Sequence, residues 1–283
     1  MHDDHLSLMA SSMPTPAELE VLAIQSVVRA AEVIRRGAVD PSAIRTKTSQ
    51  TDVVTQTDLD SEQTVIEFLR AATPDAGFIG EESPADSRAA RLQWVIDPLD
   101  GTVNFLYRVP LFAISVAAAV DGVFVAGVVL DVPRGEVFAA HKDGGARCGQ
   151  VGSDITLRSV SAHDLRPMVS SACHELSACL LATGFSYNSG LRLQQGHTVS
   201  TILGSVRDIR CFGSAALQLC WVADGRIDAY FERDIKIWDW AAASIIATEA
   251  GVHIELPCPE NNDLVFGAAP GIARSLRPLV HTK

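Results

Sequence analysis

Residues 94–105 read Trp-Val-Ile-Asp-Pro-Leu-Asp-Gly-Thr-Val-Asn-Phe, and this stretch decides the fold. The apolar residues at 92–96 predict a buried strand. We expect that strand to end at Ile96, because Pro98 has no backbone N–H to donate to a sheet. Asp97 and Asp100 then lie three residues apart on a turn. Both carboxylates can therefore face a single site.

The residues around these two aspartates favour a hard divalent cation. Gly101 permits tight backbone geometry or the close approach of a ligand. The carbonyl of Leu99, between the aspartates, can add a backbone oxygen to the two carboxylates. Carboxylates, carbonyls and water are the ligands that Mg²⁺ prefers. Taken alone, the same motif also fits an acidic surface turn, and that alternative stays open here.

Two further acidic motifs flank this segment in the chain. Glu81-Glu82 follows Gly80, and Trp238-Asp239 precedes a pair of alanines. Alone, the glutamate pair fits a solvated surface, and Trp238-Asp239 fits the start of a helix. The occurrence of all three motifs in this order favours a shared metal site.

The rest of the chain predicts a mixed α and β protein with a layered fold. Thr15 and Glu18 form a predicted capping box for a first helix that ends at Gly37. Asp121-Gly122 predicts a hairpin turn within an antiparallel meander. The other predicted helices span about 60–72, 191–203, 214–223 and 238–250. The predicted strands span 78–79, 92–96, 113–120, 123–130, 136–140, 207–211, 226–231, 252–256 and 264–268.

Composition limits the classes of function. The chain has 283 residues, 47% of them hydrophobic, and a net charge of -11. This composition is typical of a globular protein, and the acidic balance argues against direct nucleic-acid binding. We expect no membrane association, because no apolar run is long enough to span a bilayer. Residues 1–14 lack the features of a signal peptide and predict a flexible tail. The six scattered cysteines indicate reduced thiols, so we expect a cytoplasmic protein.

With these motifs in place, the sequence resembles the inositol monophosphatase family, closest to its bacterial inositol-1-monophosphatases. The three motifs match three sequence blocks of that family in the same order, and the resemblance runs from about Ala17 to Leu279. It implies an α/β fold, a five-layered αβαβα sandwich, and a homodimer. We expect a single domain over 15–283, with an N-terminal α+β half to about 160 and a C-terminal α/β half from about 161.

The resemblance implies two to three Mg²⁺ ions as cofactors. Glu81, Asp97 and the Leu99 carbonyl resemble ligands of the first ion. Asp97, Asp100 and Asp239 resemble ligands of the second. Glu81 is also implied to hold a weaker third ion through water.

The resemblance also implies catalytic and substrate-binding roles. Asp58 is similar to the family's residue that orients Thr102, whose hydroxyl touches the nucleophilic water; with Glu81 they form the implied catalytic group. Lys47 resembles a lysine near the metal site. Val103 departs from the threonine that many relatives carry, beside the site. The residues implied to contact the substrate are Asp100, Gly101, Thr102, Gly213, Ser214, Ala215, Glu232 and Asp239.

The implied activity is magnesium-dependent hydrolysis of a small phosphate monoester by a metal-activated water. Inositol 1-phosphate is the leading substrate, and lithium sensitivity is expected from the same resemblance. Two alternatives stay open. One is a phosphatase of the same mechanism for histidinol phosphate or another sugar phosphate. The other is a regulatory or scaffold protein that retains the fold and acts through partners.

Overall fold

The structure is a computed structural model that describes residues 13–37, 45–46, 53–83, 90–151, 165–261 and 263–281. Within these residues, the strands form a seven-stranded sheet, a five-stranded sheet and a separate two-stranded pair. The pair consists of β1 (Arg45–Thr46) and β2 (Val53–Val54). The two larger sheets determine where the helices pack.

Several of the described helices begin at a residue whose side chain caps the first turn. The described helices are α1 (Pro16–Arg36), α2 (Gln56–Ala72), α3 (Thr102–Leu106), α4 (Ser189–Ile202), α5 (Ala215–Ala223), α6 (Ile237–Glu249) and α7 (Pro270–Val280). The predicted capping box of α1 is confirmed, since the Thr15 N–H donates to Glu18 Oε2 at 2.7 Å. Helix α2 begins four residues before the predicted Asp60, because Thr55 and Asp58 form a second capping box.

The seven-stranded sheet carries the segment that decides the fold. Its strands, in order across the sheet, are β3 (Gly77–Gly80), β4 (Leu92–Asp100), β5 (Ala113–Val120), β6 (Val123–Asp131), β7 (Glu136–His141), β8 (Ala146–Gln150) and β9 (Arg166–Pro167). The predicted meander is confirmed from β4 onward, whereas β3 pairs with β4 in parallel.

The predicted end of β4 at Ile96 is wrong, because the strand continues to Asp100. Its register against β5 shifts between Asp97 and Asp100. Pro98 lies inside this irregularity, where the ladder does not need its missing N–H. The irregular segment is therefore where the two aspartates are placed.

The five-stranded sheet belongs to the C-terminal part of the chain. Its order is β11 (Asp208–Arg210), β10 (Leu180–Thr183), β12 (Ala229–Arg233), β14 (Leu264–Ala268) and β13 (His253–Glu255). Strands β10, β11 and β12 run parallel, and β14 is antiparallel to both of its neighbours. The central strand β12 is consequently paired on both sides from Ala229 to Phe231, and its last two residues pair with β14.

Helices cover both faces of each sheet in five layers, which confirms the predicted αβαβα fold class. Helices α1 and α2 pack on the outer face of the seven-stranded sheet, α5 and α6 lie between the sheets, and α4 and α7 form the last layer. Side chains along β4 alternate, with Trp94 and Ile96 facing α1 and α2 while Val95 faces α5 and α6. The end of β4 therefore lies where α2, α5 and α6 converge.

No described helix combines the length and apolar composition that crossing a bilayer requires.

Candidate active site

Asp97 is a buried carboxylate at the irregular end of β4. Its side chain is 1% exposed, and its Oδ1 accepts a hydrogen bond from the Leu99 N–H at 3.0 Å. Burial raises the pKa of Asp97 well above its usual value, and the charges of Glu81, Asp100 and Asp239 raise it further. A buried group with three acidic neighbours is strongly stabilised by a bound cation.

Asp100 is held by the N-terminus of α5. Its Oδ2 accepts from the Ser214 hydroxyl at 2.5 Å and from the Ala216 N–H at 2.8 Å, and its Oδ1 accepts from the Ala215 N–H at 3.1 Å. Burial raises the pKa of Asp100 to about 6, although these hydrogen bonds act in the opposite direction. The first turn of α5 thus fixes the orientation of this carboxylate.

Asp239 and Glu81 complete the acidic group. Asp239 lies in the first turn of α6, where its Oδ2 accepts from the Lys236 N–H at 2.5 Å. Burial raises the pKa of Asp239 well above its usual value, followed by the charge of Asp100. Glu81 follows β3, and its N–H donates to the Ile96 carbonyl at 3.3 Å.

These four carboxylates act on one another electrostatically, and Asp97, Asp100 and Asp239 each also accept a hydrogen bond from a backbone N–H. Among the residues that the structure describes, no three His, Cys, Asp or Glu side chains are arranged as a finished metal site. Each carboxylate oxygen that accepts one hydrogen bond keeps a second lone pair. Asp97 Oδ1, Asp100 Oδ1 and Asp239 Oδ2 each accept one such bond, so each has a lone pair that a cation could use.

Thr102 and Asp58 form a hydrogen-bonded pair beside the carboxylates. The Thr102 hydroxyl lies 3.0 Å from Asp58 Oδ1 and 3.0 Å from the Leu99 carbonyl, so its single proton can serve one acceptor at a time. Asp58 Oδ2 accepts from the Thr55 N–H at 2.9 Å and from the Thr55 hydroxyl. Asp58 therefore caps α2 and orients Thr102 at once.

Two polar residues on α2, Ser61 and Glu62, were not identified from the sequence. The Ser61 hydroxyl donates to the Pro98 carbonyl at 2.9 Å. Glu62 is 2% exposed and accepts from the Glu82 N–H at 3.0 Å and from the Ser83 hydroxyl. A Cβ at Gly80 would lie only 2.1 Å from Glu62 Oε1. Their spacing of three and four residues from Asp58 places all three on one helix face, which is the signal that could have found them.

Asn104 and Gly213 connect the segment after β4 to the backbone before α5. The Asn104 side-chain amide donates to the Leu111 carbonyl at 2.8 Å and to the Phe212 carbonyl at 2.7 Å. Gly213 has a φ of +77°, and a Cβ there would lie 2.9 Å from Asn104 Nδ2. The backbone before α5 can therefore approach the segment after β4 closely.

Glu232 lies at the end of β12 and is mostly buried. Its Oε2 accepts from the Tyr230 hydroxyl at 2.7 Å. Burial raises the pKa of Glu232 to about 7, against the hydrogen bond from Tyr230, and the charge of Asp100 adds to the increase. Glu232 also contributes to the raised pKa of Asp239, so its charge reaches the acidic group.

The structure thus brings most of the predicted site residues to one region. Ser214 and Ala215, predicted to touch substrate, contact Asp100 here. Lys47 lies outside the described residues. The residues that hydrogen bonds, chain adjacency or mutual electrostatics place together are Asp58, Glu81, Asp97, Leu99, Asp100, Gly101, Thr102, Gly213, Ser214, Ala215, Glu232 and Asp239.

Comparison with known proteins agrees with this architecture. The family model described as "Inositol monophosphatase family" matches residues 15–278. An inositol-1-monophosphatase of Mycobacterium leprae is 39% identical, over 96% of this chain and 92% of the relative. A Nus factor SuhB of Pasteurella multocida is 38% identical, over 81% of this chain and 82% of the relative.

The solved structures show the same relationship. Mycobacterium tuberculosis SuhB superposes with a TM-score of 0.78 at 34% identity, covering 95% of this chain and 97% of that one. Both the length of the matched region and the similarity of the folds agree with the sequence resemblance. The chain therefore belongs to the inositol monophosphatase family, a family of phosphatases.

Proposed function

We propose that the protein hydrolyses a small phosphate monoester in the presence of Mg²⁺, with inositol 1-phosphate as the leading substrate. The observation that carries this proposal is the group of buried acidic side chains at the end of β4. Burial and mutual repulsion raise the pKa values of Asp97, Asp100 and Asp239. Burial and repulsion destabilise the ionised form of these carboxylates, and a hard cation bound between them would offset that destabilisation.

The donor set fits magnesium. Glu81, Asp97 and the Leu99 carbonyl would hold one ion, Asp97, Asp100 and Asp239 a second, and Glu81 a third through water. All of these donors are oxygens, as Mg²⁺ prefers. When bound, the ions supply Lewis-acid stabilisation of the phosphoryl oxygens and lower the pKa of a water molecule.

The protein's own groups would position the reactants. With its proton given to Asp58 or to the Leu99 carbonyl, the Thr102 hydroxyl has lone pairs left to accept a hydrogen bond from the attacking water. The backbone N–H groups of Gly101 and Thr102 are proposed to contact the phosphate. No covalent phosphoenzyme is needed in this scheme, because hydrolysis by water requires positioning and charge stabilisation.

The alcohol part of the substrate would lie toward β12 and α5. Glu232 can accept hydrogen bonds from hydroxyl groups, which an inositol ring supplies in number. Gly213, Ser214 and Ala215 lie beside Asp100 at the start of α5, and we propose that they also border the ring.

A phosphate-release assay tests the proposal. Inositol 1-phosphate, histidinol phosphate, fructose 1,6-bisphosphate and an aryl phosphate would each be incubated with the protein, with Mg²⁺ and with EDTA. We expect Mg²⁺-dependent release that is fastest from inositol 1-phosphate. Faster release from histidinol phosphate would favour the alternative substrate, and release that EDTA does not reduce would contradict the metal requirement.

Lithium inhibition and dimer formation belong to the same proposal. We expect uncompetitive inhibition at roughly tens of millimolar Li⁺, the range in which a weak oxygen site fills. We also expect a homodimer, measured as twice the 30.2 kDa chain mass by light scattering after size-exclusion chromatography. A cytoplasmic location is likewise proposed, on the basis of the scattered free thiols.

The relative named Nus factor SuhB supports a second candidate role, in which the protein acts through partners. The two roles separate if a catalytically inactive Asp97→Asn variant is introduced into a deletion strain of the source organism. Rescue by the inactive variant would indicate a function independent of phosphate hydrolysis. Rescue by the wild type alone would assign the phenotype to catalysis.

A further inference from the structure

Tyr230 and Glu232 lie two residues apart on β12, so their side chains share one face of the strand. Tyr230 is fully buried in the layer between the two sheets, whereas Phe231 packs on the opposite face. Strand β12 pairs with β10 on one side and β14 on the other. The backbone at Tyr230 is paired on both sides, with Ala182 and Gly267, and the backbone at Glu232 is paired with Val265 of β14.

The Glu232 carboxylate has one oxygen engaged and the other available. Within the described part of the chain, Glu232 makes a single hydrogen bond, from the Tyr230 hydroxyl to Oε2 at 2.7 Å. Tyr230 is 0% exposed, so its hydroxyl has no water to replace that contact. Oε1 keeps its accepting capacity for a group outside the protein.

Gly184 supplies the space that the carboxylate occupies. It follows β10, whose Thr183 pairs with Phe231, so Gly184 lies level with Glu232 on the neighbouring strand. A Cβ at Gly184 would lie 2.1 Å from Glu232 Oε2 and 2.2 Å from Oε1. Any larger residue at this position would displace the carboxylate.

We propose that Tyr230 and Gly184 are positioning residues that hold Glu232 with Oε1 directed to a hydroxyl group of the substrate's alcohol portion. This inference rests on the proposed phosphatase function. The phenol occupies one oxygen and restricts rotation of the carboxylate. The other oxygen is then presented in one orientation, which lowers the entropy cost of accepting a hydrogen bond from the substrate.

The test compares wild type, Tyr230→Phe, Glu232→Ala and the double variant on inositol 1-phosphate and phenyl phosphate, both with Mg²⁺. The readout is the ratio of the two kcat/KM values. We expect Tyr230→Phe to lower this ratio about three- to tenfold, the effect of one hydrogen bond, through KM for inositol 1-phosphate and not through kcat. In the Glu232→Ala background, Tyr230→Phe should change the ratio no further. Tyr107→Phe, an exposed tyrosine, is the matched control and should leave the ratio unchanged.

Gly184→Ala provides a second, independent variant and should lower the ratio in the same direction. An unchanged ratio in Tyr230→Phe would overturn the inference. So would an equal loss from Tyr230→Phe with and without Glu232, since that would indicate a general packing effect. Absence of Mg²⁺-dependent release from both substrates by the wild type would instead overturn the proposed function itself.

Discussion

At the scale of single residues, Asp97 is the acidic side chain on which the other three act together. We expect Asp97→Asn to lower turnover by at least about a hundredfold, the scale of losing a preorganised electrostatic group. The fold should persist, because the substitution removes repulsion from a buried cluster. A magnesium titration of activity, with circular dichroism, measures both effects. Asp75→Asn, on an exposed turn, is the matched control, and near-wild-type turnover of Asp97→Asn would refute the assignment.

The same carboxylates make stability depend on pH. The pKa of Asp100 is about 6 in the folded protein against a usual value of 3.8, and those of Asp97 and Asp239 are also raised. The folded state therefore binds protons more tightly than the unfolded state. The stability from Asp100 is fully present below pH 3.8 and is lost as the pH rises through about 6.

Mg²⁺ bound at these carboxylates, as proposed, would compete with the protons, so its stabilising effect should grow with pH. We expect the difference in Tm between samples with Mg²⁺ and with EDTA to increase from about pH 5 to about pH 7.5. Differential scanning fluorimetry at constant ionic strength measures this difference. A difference that shrinks over the same range would contradict the placement of the cation at these carboxylates.

Thr102 and Asp58 are joined by a 3.0 Å hydrogen bond and should behave as one unit. Thr102→Ala and Asp58→Asn should each lower kcat with little change in KM, because both are proposed to orient the attacking water. The double variant should then be little slower than the slower single variant. Steady-state kinetics on all four proteins measure the coupling, and fully additive losses would show that the two residues act independently.

At the scale of elements, α2 supports the loop that carries Glu81. Glu62 on this helix holds the Glu82 N–H and the Ser83 hydroxyl. We expect Glu62→Gln to raise the Mg²⁺ concentration needed for half-maximal activity about tenfold, the lower end of the effect of losing an outer-shell partner. Glu67→Gln, an exposed change on the same helix, is the control and should leave the Mg²⁺ requirement unchanged. Equal requirements in the two variants would exclude this supporting role.

The structure shows which elements local sequence signals can predict. The hairpin at Asp121-Gly122 and the start of α1 were predicted correctly, because turn and capping residues act over a few positions. Strand β10 (Leu180–Thr183) and helix α7 (Pro270–Val280) were missed, since short apolar runs acquire their identity from long-range packing. The continuation of β4 past Pro98 was also missed, because the register shift that tolerates this proline depends on β5.

In the candidate site, too, residues in local motifs were predicted and residues defined by long-range contacts were missed. Asp97, Asp100 and Asp239 were identified because each lies in a compact motif. Ser61 and Glu62 were not, because their partners Pro98, Glu82 and Ser83 lie 20 to 37 residues away in the chain. Likewise, the contacts of Ser214 and Ala215 with Asp100 span more than 100 residues. Such contacts are set by the layer packing, and the only local signal for Ser61 and Glu62 is their spacing of three and four residues from Asp58 on α2.

At the scale of the whole molecule, α5 and α6 pack against both large sheets. We therefore expect the seven-stranded and five-stranded sheets to unfold together. Asn104 adds a direct link, from the segment after β4 to the Phe212 carbonyl before α5. We expect Asn104→Ala to lower the free energy of unfolding by about 1–3 kcal/mol, because it leaves carbonyl groups without their donor. Urea unfolding followed by tryptophan fluorescence and by circular dichroism measures this. Two separate transitions in the wild type would contradict the expected cooperativity.

The five-layered arrangement places Asp58, Asp97 and Thr102 with the seven-stranded sheet, and Tyr230 and Glu232 with the five-stranded sheet. Under the proposed roles of these residues, descendants of this protein can acquire new substrates through substitutions in β12 and its neighbours while the groups proposed for hydrolysis stay intact. After a gene duplication, one copy would need few substitutions to change its substrate specificity. Diversification of this kind should leave its record as variable residues around the end of β12 facing invariant residues at the end of β4.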